Sequence, residues 1–367
     1  SFLISTDTPL LLAMALALLA LAGSVCEKIP PVSARIYAGI AFGVGMLAKY
    51  AAIYGRFGFM LIWALGRHHS NPIIQGRQLL LAIAACLITV SPNLIWNLMH
   101  DFSTVRHLGD NANLAKQTHD IGESLIFLIG QAGVAGPLAF FLMLGIIFAS
   151  RHEKHAGWLV WMAVPVIGLL SLQAYLSEAN ANWAMAAYPA MSVWLGGWLG
   201  SDGRQKTLLL LPRKWLGIAA IGLNFILTVG LLLATMAGSL GPLTPTSDPL
   251  RRLRGWQALA QDIEPHLAAH QANRIIADRR ATAALLSWHF HGQDVTIMVH
   301  DRDGVPSNHF EANHSWQHRA GSPLLVLSGS PTPPILPPIE WQGSPNQSKT
   351  VISRNKSRDL YIHKGIE

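Results

Sequence analysis

The chain has 367 residues, of which 51% are hydrophobic and only 13% charged, with a mean hydropathy of +0.32. A soluble globular chain carries about 25% charged residues, so this one is read as membrane-embedded over most of its length. The net charge of +7 does not mark a nucleic-acid binder, because the basic residues are scattered over short loops with no basic stripe interleaved with aromatics. The two cysteines, Cys26 after one apolar run and Cys86 inside another, exclude a disulfide framework and a cysteine metal site.

The chain starts at Ser1 rather than Met, directly ahead of an apolar run. That run has no basic flank, and Val25-Cys26 is a poor cleavage site, so it reads as a transmembrane helix rather than a signal peptide, with further residues expected upstream. Apolar stretches of roughly spanning length then follow in order: Pro9–Val25, Ile36–Lys49, Ala51–Leu65, Gln78–Trp96, Ser124–Ala149, Gly157–Tyr175, Trp183–Leu199 and Lys214–Gly238. Lys49 lies within the apolar residues Gly39 to Leu65, where an ammonium is costly and marks a functional candidate. Charge parity decides how that region folds. Two crossings meeting near Lys49 put Lys28/Arg35, Arg67/Arg77, Arg151/Lys154 and Arg204/Lys206/Arg213/Lys214 on one side, which the positive-inside rule makes cytoplasmic. About eight crossings are therefore expected, with Lys49 at an outer turn.

Three polar segments then share the outer face with Lys49. They are Ser5-Thr6-Asp7-Thr8, the loop from Asn97 to Glu123, and Ser177-Glu178-Ala179-Asn180-Ala181-Asn182-Trp183. Beyond Gly238, Gly241-Pro242-Leu243-Thr244-Pro245 reads as a linker. Gly255–His270 is an amphipathic helix with Trp256, Leu259, Ile263 and Leu267 on one face. Arg274–Ala277, Val295–Val299 and Leu324–Leu327 read as strands and Ala281–Phe290 as a helix, with Leu360-Tyr361-Ile362 as a last edge strand. The expected architecture is an all-α polytopic membrane domain over residues 1–240 and a small extracytoplasmic α/β domain over residues 241–367.

Asp7 stands just ahead of Pro9 at an outer helix start. It reads either as a helix cap or as a carboxylate that acts as a base or orients a hydroxyl. Lys49 and Arg106 are a cationic pair suited to clamping a phosphate, through a compact ammonium and a bidentate guanidinium. The competing readings are a snorkelling lysine and a solvated loop arginine. His100 and His107 could donate to the same phosphate or bind a metal. Asn97, Glu178 and Asn182 are further candidates for substrate binding on the outer segments. More than half of the 16 histidines lie in the last domain, where His289/His291 and His314/His318 have metal-compatible spacing without a firm third ligand. Asp278-Arg279-Arg280 follows a predicted strand, where α/β sheets place ligand sites or simply a charged turn.

Several stretches together form a recognisable pattern. They are Ser5-Thr6-Asp7-Thr8-Pro9-Leu10, Gly43-Val44-Gly45-Met46-Leu47-Ala48-Lys49-Tyr50, Ser91-Pro92-Asn93-Leu94-Ile95-Trp96-Asn97 with His100 and Arg106-His107, and Ala179-Asn180-Ala181-Asn182-Trp183-Ala184. In this order they resemble the GT-C class of membrane glycosyltransferases, specifically the bacterial family related to dolichyl-phosphate-mannose protein mannosyltransferases. The resemblance covers most of the chain. It implies sugar transfer from a polyprenyl-phosphate donor to a glycolipid or protein acceptor on the outer face of the bacterial inner membrane, with the last domain periplasmic. Lys49 and Arg106 would hold the donor phosphate; nothing in the chain requires a nucleotide, since it has no phosphate-cradling glycine loop, no nucleic-acid partner is expected, and the one cofactor left open is a divalent metal. Family members also carry an earlier outer loop with an acidic residue, which would precede Ser1. The expectation is therefore a glycosyltransferase chain shortened at its N-terminus, for which the resemblance implies the family but not the activity of this exact polypeptide. The alternatives are a transporter or lipid flippase, which should show repeated halves or broken helices near the midplane, with no repeat found in the sequence, and a membrane-anchored receptor, which needs far fewer spans.

Overall fold

A computed structural model describes residues 5–66, 76–100, 102, 104–105, 109, 119–150, 157–200, 212–236, 254–301, 304, 306, 308–336, 338–353 and 356–367. The chain divides into two compact units, Ser1–Ile226 and Leu227–Glu367. The division falls inside the last long apolar helix.

The first unit is helical. Its elements are α1 (Asp7–Val25), α2 (Pro31–Ala48), α3 (Ala52–Gly66), α4 (Gly76–Met99), α5 (Ile121–Ala135), α6 (Pro137–Ser150), α7 (Gly157–Leu176), a 3-10 turn (Ala181–Ala187), α8 (Tyr188–Gly200) and α9 (Arg213–Met236). Among the described residues each expected apolar run is mostly helical. Five of these helices, α1, α2, α4, α7 and α9, are long and apolar enough to cross a membrane. Helices α5 and α6 make a sixth span if taken together, and the apolar part of α3, Ala52–Ala64, is shorter. The run expected as one crossing, Ser124–Ala149, is instead bent by 112° between α5 and α6. Gly136 at φ 90° makes the bend, Pro137 starts the next helix, and Asn224 Nδ2 of α9 donates to the Ala135 carbonyl (2.9 Å) freed there.

The burial pattern is that of helices in lipid. On α1 the buried positions Leu10, Met14, Ala17 and Leu21 recur at helical spacing, while Leu12, Leu16 and Leu19 point outward and are exposed. Small residues bring the helices together. Gly39 and Gly43 on α2 lie against α4, where an added Cβ at Gly39 would strike the Ala82 carbonyl and one at Gly43 would sit 2.5 Å from Thr89 Cβ. Gly58 on α3 packs against the α7 backbone, its virtual Cβ 2.5 Å from the Trp161 carbonyl oxygen. That carbonyl lies one turn before Pro165, which has no N–H to offer it. In α4, Pro92 likewise frees the Ile88 carbonyl, and Ser91 Oγ donates to it at 2.7 Å.

The second unit continues with α10 (Trp256–Ala269), β1 (Arg274–Ala277), α11 (Arg280–His289), β2 (Thr296–Val299), α12 (His309–Asn313), β3 (Pro323–Ser328), β4 (Glu340–Ser353) and β5 (Lys356–Ile366). The sheet order is β2-β1-β3-β5-β4, with β1 parallel to β2 and β3 and with β5 antiparallel to β3 and β4. The α/β reading holds, with one correction. Leu360-Tyr361-Ile362, expected at an edge, lies in β5 between two partners, and β4 is the edge strand. Strand β4 escaped the sequence reading because it is polar and carries Gly343 and Pro345 at a register break between Gln342 and Asn346. An edge strand tolerates such residues, because one of its sides needs no ladder partner. The core packs Leu259, Ile263, Ile275, Leu286, Leu325 and Ile362 between helices and sheet. Arg274 and Glu367 form a buried ion pair within this unit.

Candidate active site

The chain begins α1 at Asp7. Thr6 at the N-cap position makes no side-chain capping bond, and the Asp7 amide donates to Ser5 Oγ at 3.3 Å. The Asp7 carboxylate is thus free of capping duty and reaches across to two other elements. Lys49 Nζ donates to Oδ1 at 2.5 Å, and Asn182 Nδ2 donates to Oδ2 at 3.1 Å. The two charged side chains are only 13% (Asp7) and 19% (Lys49) exposed, so the pair is screened from solvent more than a surface salt bridge is.

Each partner is placed by a local break in helix structure. Lys49 caps the end of α2 in an extended conformation (φ −161°, ψ 128°), its amide still bonded to the Gly45 carbonyl at 2.8 Å. Its own carbonyl receives Ala52 N–H as α3 begins, so Lys49 stands at a turn between two helices. Asn182 rides on the 3-10 turn. Buried Gln131 on α5 fixes the start of that turn: Nε2 donates to the Phe127 carbonyl (3.0 Å) and to the Ala181 carbonyl (3.2 Å), while Oε1 accepts from Tyr188 O–H (2.7 Å). A buried amide with its donor and acceptor both engaged is a rigid support.

Beside Lys49, Tyr50 O–H donates to Asn93 Oδ1 at 2.7 Å. Asn97, one turn further along α4, donates to the Asn93 carbonyl (2.9 Å) and to Asn93 Oδ1 (3.3 Å). Asn97 is buried, and its Oδ1 has no partner among the described residues. Of the expected site residues, the structure therefore joins Asp7, Lys49 and Asn182 directly and links Asn97 to Tyr50 through Asn93. His100 is exposed and turned back on its own helix end, stacked on Trp96 with Nδ1 2.8 Å from the Trp96 carbonyl. Glu178 is exposed and makes no hydrogen bond among the described residues. Arg106 and His107 lie outside the described residues. No group of three His, Cys, Asp or Glu side chains among the described residues could hold a metal ion. In the second unit, His289 instead lies 3.2 Å from Glu264 Oε1.

Four residues were not singled out as site candidates from the sequence. Tyr50 and Asn93 lie in the motif stretches, but like Gln131 they carry no charge and no metal-like spacing, so packing gives them their place. Arg56 is a charge inside the run taken as uniformly apolar.

Chemically, the cluster sets a carboxylate beside an ammonium where the ends of helices meet. Such a carboxylate can accept a hydroxyl proton, and the ammonium can stabilise negative charge developing alongside it. Residues 1–96 match the family described as dolichyl-phosphate-mannose-protein mannosyltransferase. That segment contains Asp7, Lys49, Tyr50 and Asn93. Over 361 residues the chain is 28% identical to lipid A galacturonosyltransferase RgtD of Rhizobium johnstonii, which covers 93% of this chain and 71% of that one. No solved structure matches. The resemblance to GT-C membrane glycosyltransferases read from the motifs is shown by these matches, and they do not favour a transporter.

Proposed function

We propose that the chain is an integral-membrane glycosyltransferase that moves a sugar from a polyprenyl-phosphate carrier to a glycolipid or protein acceptor, with Asp7 at the reacting centre. The observation that carries this reading is the Asp7 carboxylate held between Lys49 and Asn182 where three helical elements end. The acceptor hydroxyl adds to the anomeric carbon, the bond from that carbon to the carrier phosphate oxygen breaks, and the lipid phosphate leaves with the electron pair. Asp7 takes or orients the hydroxyl proton. Lys49 stands next to it, where it can offset charge on the departing phosphate. Arg106 and His107 are proposed to complete the phosphate contacts. Asn97, His100 and Glu178 are proposed to face the substrates. No step is assigned to a metal.

The acceptor class is supported by the name of the Rhizobium johnstonii relative, a lipid A galacturonosyltransferase, and the donor class by the family description. The basic-loop bias supports a cytoplasmic loop at residues 67–77 and an extracytoplasmic second unit in the bacterial inner membrane. Two measurements test the proposal. The full-length protein is incubated with polyprenyl-phosphate-linked sugar and a glycolipid acceptor. Sugar transfer that is lost in Asp7→Asn supports the reading, and movement of the lipid without bond cleavage overturns it in favour of a transporter. Reporter fusions at Gly76 and Gly255 should report opposite compartments, and a shared compartment refutes the topology.

A further inference from the structure

Arg56 sits on α3, within the apolar residues 51–65. Among the described residues its guanidinium donates only to sulfur: Nη2 to Met46 Sδ at 2.8 Å and Nη1 to Cys86 Sγ at 3.5 Å. Among the described residues its buried Nε has no acceptor and no ion pair includes it. Thioether and thiol sulfur are weak acceptors that leave a guanidinium charge uncompensated. A membrane interior makes that a large penalty unless an anion comes to it. Lys49, by contrast, already has Asp7.

Arg56 also lines a groove of about 290 Å³ between α2, α3 and α4. Phe42 and Cys86 form its buried floor, and the exposed side chains Ile53, Phe57, Met60 and Ile83 form its rim. Apart from Arg56, the lining is apolar. The groove opens on the outer surface of the helix bundle, where the exposed side chains are large hydrophobics. A groove of that size takes part of one hydrocarbon chain.

We propose that Arg56 and this groove bind a single-chain lipid with an anionic head, the guanidinium taking the head group and the groove the adjoining part of the chain. The site is distinct in its residues from the Asp7–Lys49–Asn182 cluster. Identifying this lipid with the sugar carrier of the proposed reaction rests on that reading, whereas the site itself does not.

The test measures binding without turnover, in full-length protein reconstituted in nanodiscs, with three probes: a polyprenyl monophosphate, the matching uncharged polyprenol and a two-chain phosphatidic acid. The monophosphate should bind about tenfold to a hundredfold more tightly than the polyprenol, the range of one or two charge-assisted hydrogen bonds. Arg56→Gln should abolish that preference while leaving polyprenol affinity within about twofold, and Arg56→Lys should retain part of it. If Arg56→Gln does not fold, Ile83→Trp, a substitution at the exposed rim, should lower the affinity of both polyprenyl probes together. The site is refuted if Arg56→Gln keeps the preference, if Ile83→Trp leaves both affinities unchanged, or if phosphatidic acid competes as well as the polyprenyl monophosphate. Loss of preference in Arg56→Gln with no sugar transfer by the parent protein would leave the lipid site standing and the transferase reading overturned.

Discussion

Lys49 Nζ lies 2.5 Å from Asp7 Oδ1, joining the first residue of α1 to the break between α2 and α3. Because the pair is largely shielded, each charge depends on the other. Lys49→Met should strand the carboxylate and Asp7→Asn the ammonium, each lowering stability by roughly 1.5–3 kcal/mol. The double variant should be more stable than the sum of the two losses predicts. A thermal-melt double-mutant cycle in detergent checks this, and simple additivity would mean the contact carries no coupling.

Turnover should separate the two residues. Asp7→Asn keeps the shape and removes the proton acceptor, so transfer should fall by about two orders of magnitude or more with donor affinity little changed. Lys49→Ala should weaken donor binding as well as rate. Equal donor affinity in the parent and Lys49→Ala would remove Lys49 from the phosphate contacts.

Gln131 supports Asn182 from a distance, through the Ala181 carbonyl. Gln131→Leu leaves that carbonyl and the Tyr188 hydroxyl without their partner. It should lower transfer while donor affinity stays near the parent value. A general structural role would instead depress both in step with the melting temperature.

Helix contact at Gly58 should be intolerant of even one methyl group. Gly58→Ala puts a carbon 2.5 Å from the Trp161 oxygen and 2.8 Å from Met162 Cα, so α3 and α7 must separate, at a cost of about 1–3 kcal/mol. Gly133→Ala is the control, since nothing lies within 4 Å of its added carbon. Melting temperatures of the two variants should differ, with only Gly58→Ala below the parent.

In the second unit, burial holds the His363 imidazole pKa below its ordinary 6.5, against a smaller opposing effect of the Ser330 carbonyl. On acidification the unfolded chain therefore takes up this proton before the folded one. Stability from His363 is complete above about pH 6.5 and declines as the pH falls below it, toward the lower folded-state value. Melts between pH 7.5 and 5.5 should show that decline, and His363→Gln should flatten it. An identical slope in the variant would assign the pH dependence to other groups.

The helical runs were legible because lipid demands long apolar segments, and α1, α2 and α4 follow them closely. Lys49 was legible for the same reason, as a charge where charge is disfavoured. Its partner was not, because Asp7 lies 42 positions away and no periodicity joins them. Arg56 was hidden by averaging, since Gly55, Phe57 and Gly58 around it keep the segment apolar. The bend at Gly136 has a local Gly-Pro signature, but hydropathy alone reads straight through it. In the second unit, β1 to β3 stand out as apolar runs, whereas β4 has no such run and is specified by its pairing with β5.

The two margins of that sheet have a consequence for self-association. On one side, β2 is bridged at Val299 to Ser315, with hydrogen bonds from Val299 N–H to His314 O and from Trp316 N–H to Val299 O. On the other, β4 presents Pro345, Lys349 and two irregularities in register. Neither margin offers another strand a long, regular row of donors and acceptors. Copies of this unit brought close together on one membrane are thereby kept from zipping edge to edge.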